Sequence, residues 1–531
     1  MASDTTVSSL PSAVVHAQLW LRAKVTEPVQ LPWISTSLHP LVLLTLVCSV
    51  LYLLTPPRTK KQRLVPNIPV VGVGVGGIGA ARKRFLSESR DMLLEGYRKY
   101  GGNGGMFYVP SPLGERLMIP PKYVEELKSA PVDKVDFVAT FIEMFEGKYT
   151  TMGSRSTLHP RTVKHQLNQN LINVMPAVEA EIRDAFAAQI PPCEDWTALN
   201  MADKFVQIVA RVSSRMFGGT ALSQHDEWVQ STINFATDGF IGAQKLKKTP
   251  VWLRPIASRF MPEIQKISHH YDVARKVLIP LLQERDKTGE RPLDLLQWMK
   301  ENAQGEETDY NYIAEIQLKV SFAAIHTSAA APTQLIYDLC AMPEYIEPLR
   351  DEIIQALREE NGKLTKQAFL KMPRLDSFMK ESQRFNPLLL ITFERLVTDD
   401  LTLSDGFTIP ANTQIGVPTH AVTMDSTLYP DPEKFDGFRF HRLKSHDPIA
   451  ASRQVYAASN LASMSFGYGR HACPGRFFAS NEIKAIMVYL LLNYDFKFPE
   501  GQQRPPSLVV ETQYLPNHAA TVLMRKRTPE F

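Results

Sequence analysis

Cysteine is scarce in this sequence, and the cysteines that are present lie far apart. The chain has four of them, Cys48, Cys193, Cys340 and Cys473, and no two form a C-x-x-C pair. This pattern excludes a disulfide framework and a four-cysteine zinc site, and it is typical of a reducing compartment. A cysteine with a chemical role must therefore work alone.

Long runs of like charge, internal repeats and low-complexity tracts are absent as well. The 531 residues carry a formal net charge of +4, so we expect no nucleic-acid partner. An apolar content of 44% is enough to bury one large domain or several ordinary ones. Because no linker is recognisable after Pro69, we expect one large domain.

Charged residues are missing from one further stretch, residues 28–57 near the N-terminus. Its apolar part reaches about 20 residues, the length that a bilayer core needs, and we predict a single transmembrane helix over residues 33–55. More basic residues follow this segment than precede it, which orients the C-terminal part toward the cytosol. A buried core helix is the alternative, although the sequence "RTKKQR" directly after it is unusual for the end of one.

The predicted organisation has four parts. In chain order they are an N-terminal luminal or disordered segment (residues 1–32), the transmembrane helix (33–55), a basic and proline-rich linker (56–70) and a catalytic domain (71–531). The last part begins with a G-x-G-x-x-G pattern at Gly74, Gly76 and Gly79, which occurs in dinucleotide-binding loops. A polar helical pattern and a hairpin pattern follow instead of a second parallel strand. We therefore interpret these glycines as a flexible entry to the domain, with a dinucleotide-dependent oxidoreductase as an alternative.

Helical periodicity dominates from Pro121 to Leu370. Short strand patterns lie near residues 107–119, 388–402 and 407–417, and again near the C-terminus. This distribution predicts a mainly α-helical fold with small peripheral β-sheets.

Glycines frame one of the cysteines, Cys473, in the segment "FGYGRHACPG". Glycine adopts positive φ easily and lets a flat ligand approach the backbone. A helical pattern starts just after Cys473, and the free amides at a helix N-terminus favour a thiolate. From these residues alone, Cys473 could be a nucleophile, a redox sensor, a metal ligand or an inert buried thiol.

This segment resembles the haem-ligand loop of the cytochrome P450 superfamily, F-x-x-G-x-x-x-C-x-G, through Phe466, Gly469, Cys473 and Gly475. The sequence "HACPGRFFASNEIK" is most similar to that of fungal, microsomal-type members that oxidise terpenoids or polyketides. The resemblance extends over residues 60–525. It implies the cytochrome P450 fold and a haem b cofactor whose iron is bound by the Cys473 thiolate, a ligand that favours O–O cleavage.

Two further motifs support the resemblance. "ESQR" supplies the E-x-x-R pair of the family as Glu381 and Arg384, which share one helix face. "DGFRF" resembles the P-x-R-F segment with Arg439 as its arginine, although Gly437 stands where proline is common. The resemblance implies that the glutamate and the two arginines form one structural network.

The resemblance also implies residues that hold the haem propionates. His471 stands where many members have an arginine, and Arg395 is a second candidate. In "LHPRTVKHQL", His165 or Lys164 is a third, although the usual tryptophan of this helix is absent.

"FAAIHTSAAAP" resembles the long helix that crosses the distal face of the haem. Ala323 and Ala324 would make room for haem and oxygen, and Thr327 aligns with the threonine of the oxygen side. His326 stands where the family has an acid. It is a candidate proton relay or a structural substitute for the acid, and a core histidine is the alternative.

The predicted substrate is apolar. "PLLLIT" resembles the substrate-lining turn of the family and places Leu389, Leu390 and Ile391 there, and Phe141 and Phe145 are further candidates for the pocket wall. Aromatic and aliphatic walls with few polar groups suit terpenoid or polyketide skeletons.

The implied function is that of a membrane-anchored haem-thiolate monooxygenase, a single-pass protein of the endoplasmic reticulum membrane with a cytosolic catalytic domain. No flavin or iron–sulfur segment is recognisable, so the implied electron donor is an NADPH–cytochrome P450 reductase. Because His326 replaces the acid, a desaturase, isomerase or ring-rearranging enzyme remains an alternative. A non-enzymatic haem carrier in the membrane is another.

Overall fold

The computed structural model describes residues 63–74, 76–112, 114–446 and 451–528. The predicted transmembrane segment 33–55 and the segment 1–32 lie outside these ranges, as does the first part of the linker, residues 56–62. Within the ranges, no helix combines the length and the apolar character that a membrane span requires.

The described part of the chain is mainly helical. Its α-helices, in chain order, are α1 Gly77–Gly96, α2 Val124–Leu127, α3 Phe137–Met144, α4 Gly147–Thr150, α5 Leu158–Thr162, α6 Asn168–Gln189, α7 Met201–Gly218, α8 Thr220–Ser223, α9 Asp226–Lys248, α10 Arg254–Phe260, α11 Pro262–Thr288, α12 Leu295–Asn302, α13 Tyr310–Ala341, α14 Ile346–Glu359, α15 Lys366–Leu370, α16 Pro373–Phe385, α17 Thr419–Thr423, α18 Arg439–His446 and α19 Arg476–Asn493. The predicted helical region from Pro121 to Leu370 is confirmed.

The strands are short and form small sheets beside the helices. They are β1 Phe107–Ser111, β2 Gly114–Met118, β3 Val135–Asp136, β4 Thr197–Leu199, β5 Thr392–Val397, β6 Leu401–Thr402, β7 Thr408–Ile409, β8 Thr413–Val417, β9 Tyr494–Lys497, β10 Leu508–Val510, β11 Gln513–Leu515 and β12 Val522–Lys526. The largest sheet has the order β1-β2-β8-β5-β3, in which only β2 and β8 run parallel. Three smaller sheets are β4-β12-β9, β10-β11 and β6-β7.

The long helix α13 is the centre of the helical part. The side chain of Asp309 caps its first turn by accepting a hydrogen bond from the amide of Asn311 at 2.9 Å, which satisfies one of the free amides of that turn. The helix then continues through Pro332 and packs against α7, α9, α11, α16 and α19. This central position lets α13 form one wall of an internal site.

The glycine-rich entry does not have the surroundings of a dinucleotide loop. Gly76, with φ 104°, directly precedes α1, but among the described residues before it only Val70 pairs with another strand, as an isolated bridge to Tyr108. Glu95 lies inside α1 and forms an ion pair with Lys99 at 2.6 Å. These features agree with the interpretation of the glycines as an entry to the domain.

Candidate active site

The loop that carries Cys473 depends on glycine. The amide of Cys473 donates to the carbonyl of Phe466 at 2.8 Å, and between them Gly467 and Gly469 have φ values of 70° and 72°. A Cβ atom at Gly469 would lie 2.6 Å from the Cβ atom of Lys128. Side chains at these positions would strain the backbone or clash, so glycine is required for this loop shape.

Gly475 is different, and its surroundings fit a flat ligand. Its φ is −84°, and a Cβ atom there would meet Val163 Cγ1 at an ordinary 3.9 Å. The described protein atoms therefore leave room beside the cysteine that a side chain would partly fill. This space is where a haem bound to the cysteine would lie close to the backbone.

The Cys473 sulfur is placed as a single metal ligand. Burial raises the pKa of its thiol, and the amides of Gly475 and Arg476 at the beginning of α19 oppose that effect. Within the described ranges, no cluster of three or more histidine, cysteine, aspartate or glutamate side chains could hold a metal ion. A lone cysteine suits haem iron, which needs one protein ligand, and bound metal keeps such a sulfur deprotonated.

Arg395 and His471 both pack on the ring of Phe137. The Arg395 guanidinium lies 4.9 Å from the ring centroid, and the His471 ring stacks on it at 5.2 Å. Burial lowers the pKa of His471 to about 4 and that of Arg395 to about 10, so near neutral pH only the arginine is charged. Among the residues that the structure describes, Arg395 donates one side-chain hydrogen bond, to the carbonyl of Glu394 at 2.7 Å, and its remaining N–H groups fit a propionate.

The third predicted propionate residue, His165, is exposed, as is Lys164. His159 in α5, which the sequence did not suggest, has a buried Nδ1 atom without a hydrogen-bond partner among the described residues. The chain makes a π-helical turn over Val163–Leu167. Such a turn changes which side chains face inward, and a sequence pattern that assumes 3.6 residues per turn cannot predict this change.

Glu381, Arg384 and Arg439 form one buried ion network. Glu381 accepts hydrogen bonds from Arg384 Nε at 2.9 Å, from a terminal nitrogen of the same guanidinium at 2.8 Å and from Arg439 Nε at 3.2 Å. The amide of Asp436 donates to the same carboxylate at 3.0 Å. The three side chains are 0%, 2% and 8% exposed, so the network joins α16 to the beginning of α18 and is largely shielded from water.

One face of α13 is open although the helix lies inside the fold. Ala323 and Thr327, one turn apart, are exposed, whereas Ile325 and Ser328 are buried. The Thr327 hydroxyl donates to the carbonyl of Ala323 at 2.8 Å and lies 3.1 Å from that of Ala324. Small side chains and one hydroxyl therefore border an internal space, as the resemblance implies for the distal face.

His326 points away from this open face. Its Nε2 atom lies 3.0 Å from the carbonyl oxygen of Ile233 in α9, and burial lowers its pKa. The contact joins α13 to α9. It gives His326 a structural partner, and the relay role stays a prediction.

Aromatic side chains form a wall beside the open face. Phe145 packs on Phe322 of α13 at 5.3 Å and on Phe141 of α3 at 5.0 Å, and Phe235 of α9 extends the cluster at 6.1 Å from Phe322. We call these four residues the aromatic wall. Its position next to Ala323 fits the predicted role of Phe141 and Phe145.

The predicted lining residues of "PLLLIT" differ in exposure. Leu390 and Ile391 are both 0% exposed in the core of the largest sheet. Leu389 is half-buried and forms a bridge to Gln513. Of the three, Leu389 is therefore the one with surface that a ligand could contact.

Glu482 is a buried acid that the sequence analysis did not single out. It lies nine residues after Cys473 in α19 and accepts a hydrogen bond from the Ser213 hydroxyl at 2.8 Å. Burial raises its pKa to about 8, against the effects of the Ser213 and Ser328 hydroxyls. The available signal was that Glu482 is the one acid in α19. Its neighbour Ser328 is adjacent to Thr327, so a protonated carboxyl lies close to α13.

Comparison with known proteins agrees with this geometry. Residues 133–521 match the sequence model of the family described as Cytochrome P450. The chain is 37% identical over 469 residues to cytochrome P450 monooxygenase braC of Annulohypoxylon truncatum, and the aligned region covers 87% of this chain and 93% of the relative. It is 36% identical over 454 residues to ent-kaurene oxidase of Gibberella intermedia, and the aligned region covers 84% of this chain and 85% of the relative.

A third relative is cytochrome P450 monooxygenase olcJ of Penicillium canescens, 37% identical over 455 residues, with 84% of this chain and 85% of the relative covered. The similarity thus extends over most of both chains and includes the cysteine loop, the buried ion network and α13. The chain therefore belongs to the cytochrome P450 family and is a haem-thiolate monooxygenase.

Proposed function

We propose that this enzyme is anchored in the endoplasmic reticulum membrane and oxidises an apolar secondary metabolite, a terpenoid or a polyketide. The oxidant is O2, and the electrons come from an NADPH–cytochrome P450 reductase. The observation that carries the proposal is the aromatic wall beside the open face of α13.

The residues around the haem position have distinct tasks. Haem, bound through Cys473, supplies the activation of O2. Arg395 holds a propionate, and Gly475 leaves room beside the ring. On the other side, the Thr327 hydroxyl is placed to hold a proton or a water molecule next to the reacting oxygen, and Ala323 gives it space.

The aromatic wall supports an apolar substrate. Phe141 and Phe322 are partly exposed and present ring surfaces without polar atoms, and Phe145 and Phe235, 7% and 0% exposed, pack behind them. Such walls orient a rigid hydrocarbon by shape. The relative from Gibberella intermedia is named for the oxidation of ent-kaurene, which supports a terpenoid substrate for this chain.

An exposed apolar segment supports contact with the membrane. Val251, Trp252, Ile256 and Phe260 are 52%, 46%, 55% and 77% exposed around α10, and Arg259 and Lys248 beside them are exposed as well. Apolar side chains mixed with basic ones suit the boundary of an anionic lipid surface. This segment follows α9, which supplies Phe235 to the aromatic wall, so substrate would enter from the lipid side.

The region of the cysteine loop suits an acidic electron donor. Arg470 is exposed in the loop itself, and Lys128, which lies against Gly469, is partly exposed and forms an ion pair with Glu125. Basic residues at this position would attract the acidic surface of a reductase and shorten the path of the electrons.

A desaturase or isomerase is the second candidate. The observation in its favour is His326, which stands where the family has an acid and is bound to the Ile233 carbonyl at 3.0 Å. Slow proton delivery from this position would favour reactions other than insertion of oxygen.

The test uses microsomes that contain the full chain and an NADPH–cytochrome P450 reductase, incubated with terpenoid and polyketide substrates under heavy-isotope O2. A product with one added labelled oxygen atom supports the proposal. Loss of two hydrogen atoms indicates a desaturase, and a product of unchanged mass indicates an isomerase. A matched pair of variants, Cys473→Ala and Cys193→Ala, checks the assignment, because only the first should abolish the thiolate-haem spectrum and turnover.

A further inference from the structure

Residues 244–263 connect α9, which supplies Phe235 to the aromatic wall, to α11. They comprise the end of α9, the whole of α10 and the first residues of α11, and we call them the flap. Four apolar side chains in and beside α10 are exposed, namely Val251, Trp252, Ile256 and Phe260. These side chains do not pack against the protein, so polar contacts have a larger part in holding the flap in place.

A buried ion pair joins the flap to the hairpin of β10 and β11. The ammonium of Lys247 lies 3.0 Å and 3.1 Å from the two carboxylate oxygens of Glu511, and the side-chain amide of Gln244 donates to the same carboxylate at 3.2 Å. The lysine and the glutamate are 4% and 7% exposed. Burial strengthens the attraction between the two charges and makes either charge costly without its partner.

A second ion pair joins the flap to the segment between α3 and α4. A terminal nitrogen of Arg254 donates to the carboxylate of Glu146 at 2.8 Å, and both side chains are mostly buried. Arg254 Nε also donates to the carbonyl of Thr249 at 3.1 Å, directly after α9. Since Glu146 follows Phe145 of the aromatic wall in the chain, this pair lies beside the wall.

The two glutamates are held on a constrained backbone. Glu146 and Glu511 have φ values of 50° and 52°, a left-handed conformation that residues other than glycine rarely adopt. The amide of Glu511 donates to the carbonyl of Leu86 in α1 at 2.9 Å, and the Ser89 hydroxyl donates to the carbonyl of Glu511. Such a conformation persists only where the surrounding structure enforces it, so fixed carboxylates receive the two cations of the flap.

The space between the flap and the aromatic wall is narrow. Phe145 of the wall, Phe240 of α9 and the pair of Lys247 and Glu511 are among the residues that line a cavity of about 10 Å³. This volume has room for one water molecule. A terpenoid or polyketide skeleton is far larger, so it cannot pass here while the ion pairs are intact.

The first half of α9 is held separately from the flap. His326 of α13 binds the carbonyl of Ile233 at 3.0 Å, and His270 of α11 lies 2.9 Å from the Ser231 hydroxyl and 3.0 Å from the carboxylate of Asp238. These contacts fix α9 to α13 and to α11 on the side away from the ion pairs. Separation of the ion pairs would therefore move the flap and leave the aromatic wall in place.

We propose that the ion pairs Lys247–Glu511 and Arg254–Glu146 form a latch that keeps the flap closed, and that substrate enters when both pairs separate. From the proposed function this inference takes only that an apolar substrate enters beside α10. The four charged groups regain hydration when the pairs separate, which offsets part of the cost of opening. An ionic latch thus closes the entry and still allows it to open.

The experiment measures, by stopped-flow absorbance, how fast two ligands bind to the haem iron of the full-length holoprotein. Clotrimazole and imidazole bind iron through the same type of nitrogen, but clotrimazole is bulky and imidazole is small. We expect Lys247→Met and Arg254→Met to raise the association rate of clotrimazole about tenfold, because a closed state that lacks one ion pair leaves the open state more populated. The association rate of imidazole should stay close to that of the wild-type protein.

The two charges of one pair can be tested together. Glu511→Gln should also raise the clotrimazole rate, because it leaves Lys247 without its counter-charge. Lys247→Met combined with Glu511→Gln leaves neither charge, so its rate should lie between those of the wild-type protein and the single variants. The control is Lys245→Met, the same substitution two residues earlier, whose ion pair with Glu263 at 2.6 Å lies within the flap; it should keep the wild-type rate.

Amide hydrogen exchange without any ligand gives an independent readout. Exchange of residues 249–262 should be faster in Lys247→Met, and exchange of α19 should be unchanged. An unchanged clotrimazole rate in Lys247→Met or Arg254→Met, an equal rise in the imidazole rate, a raised rate in Lys245→Met, or faster exchange throughout the chain would each overturn the inference. Because neither measurement requires turnover, failure to oxidise terpenoids or polyketides would refute the proposed function without affecting the latch, which separates the two failures.

Discussion

Replacing Glu381 by glutamine should destabilise the protein strongly, because the change removes the only negative charge from a buried network. Glu381 is 0% exposed and neutralises two arginines, Arg384 at 2.8 Å and Arg439 at 3.2 Å. Glutamine keeps the size of the side chain, but both guanidinium groups then lose their counter-charge.

The magnitude follows from the burial of the pair. Removing one partner of a buried ion pair costs about 3–5 kcal/mol, and a typical domain has a free energy of unfolding of about 5–15 kcal/mol. Since about 1.4 kcal/mol corresponds to a tenfold change, the ratio of folded to unfolded protein should fall roughly a hundredfold or more. We therefore expect Glu381→Gln to retain little haem and to unfold at a lower denaturant concentration.

The chain offers a matched control. Glu347 and Arg350 form a pair with the same spacing on a helix, at 2.6 Å, but the Glu347 side chain is 69% exposed. Arg350 is 5% exposed but keeps a second carboxylate, that of Asp495 at 3.1 Å, so losing the exposed Glu347 charge should cost only about 0–1 kcal/mol. The assay compares denaturant unfolding, followed by tryptophan fluorescence, and the CO difference spectrum of thiolate-bound haem for Glu381→Gln and Glu347→Gln. Equal behaviour of the two variants would refute the reasoning.

Three further substitutions test the residues around α13. His326→Ala removes the contact with the Ile233 carbonyl and should lower the free energy of unfolding by about 1 kcal/mol. The expected observation is a lower melting temperature with an unchanged ratio of product formed to NADPH consumed. Slower product formation at an unchanged melting temperature would favour the proton relay instead. Thr327→Ala should keep haem and NADPH consumption but release more peroxide and less product, measured together in one reductase-supported assay, and tight coupling in this variant would contradict the role of the hydroxyl. Burial raises the pKa of Glu482 to about 8, above the value of about 4.3 in unfolded chains, so the folded state binds an additional proton. Its contribution to stability is complete at low pH and is lost as the pH rises through about 8; Glu482→Gln should therefore show a flatter dependence of unfolding free energy on pH, and parallel curves would contradict the assignment.

Local sequence patterns were sufficient for the helical map and for the cysteine loop. The loop glycines were predictable because backbone conformation depends on the residue itself, and Gly467 and Gly469 have the positive φ values expected of them. Gly475, with φ −84°, needs another explanation, which is the space beside the sulfur. The long helix α13 was predictable because helical periodicity persists through "FAAIHTSAAAP".

Side-chain direction was harder to predict than secondary structure. The sequence singled out His165 in "LHPRTVKHQL", but the π-helical turn over Val163–Leu167 leaves it exposed. His159, which precedes the turn, is the histidine whose Nδ1 atom is buried. One additional residue in a helical turn rotates every later side chain by about 100°, and nothing in the local composition marks such a turn.

The partners of buried charges are what the sequence can indicate least, and two lysines illustrate the reason. Lys247 and Lys380 both lie in helices of mixed composition, and both side chains are nearly closed to water in the fold. Lys247 finds the carboxylate of Glu511 at 3.0 Å, a residue 264 positions away along the chain, and no local pattern connects the two. The Lys380 ammonium instead donates to the carbonyl of Val455 at 2.9 Å, 75 positions away along the chain. An apolar side chain is satisfied by any apolar neighbour, so periodicity predicts its burial, whereas a charge requires one particular partner that only the tertiary structure supplies. A helix pattern therefore places a lysine on a helix face, and only the fold decides whether its ammonium meets a carboxylate, as for Lys247, or a backbone carbonyl, as for Lys380.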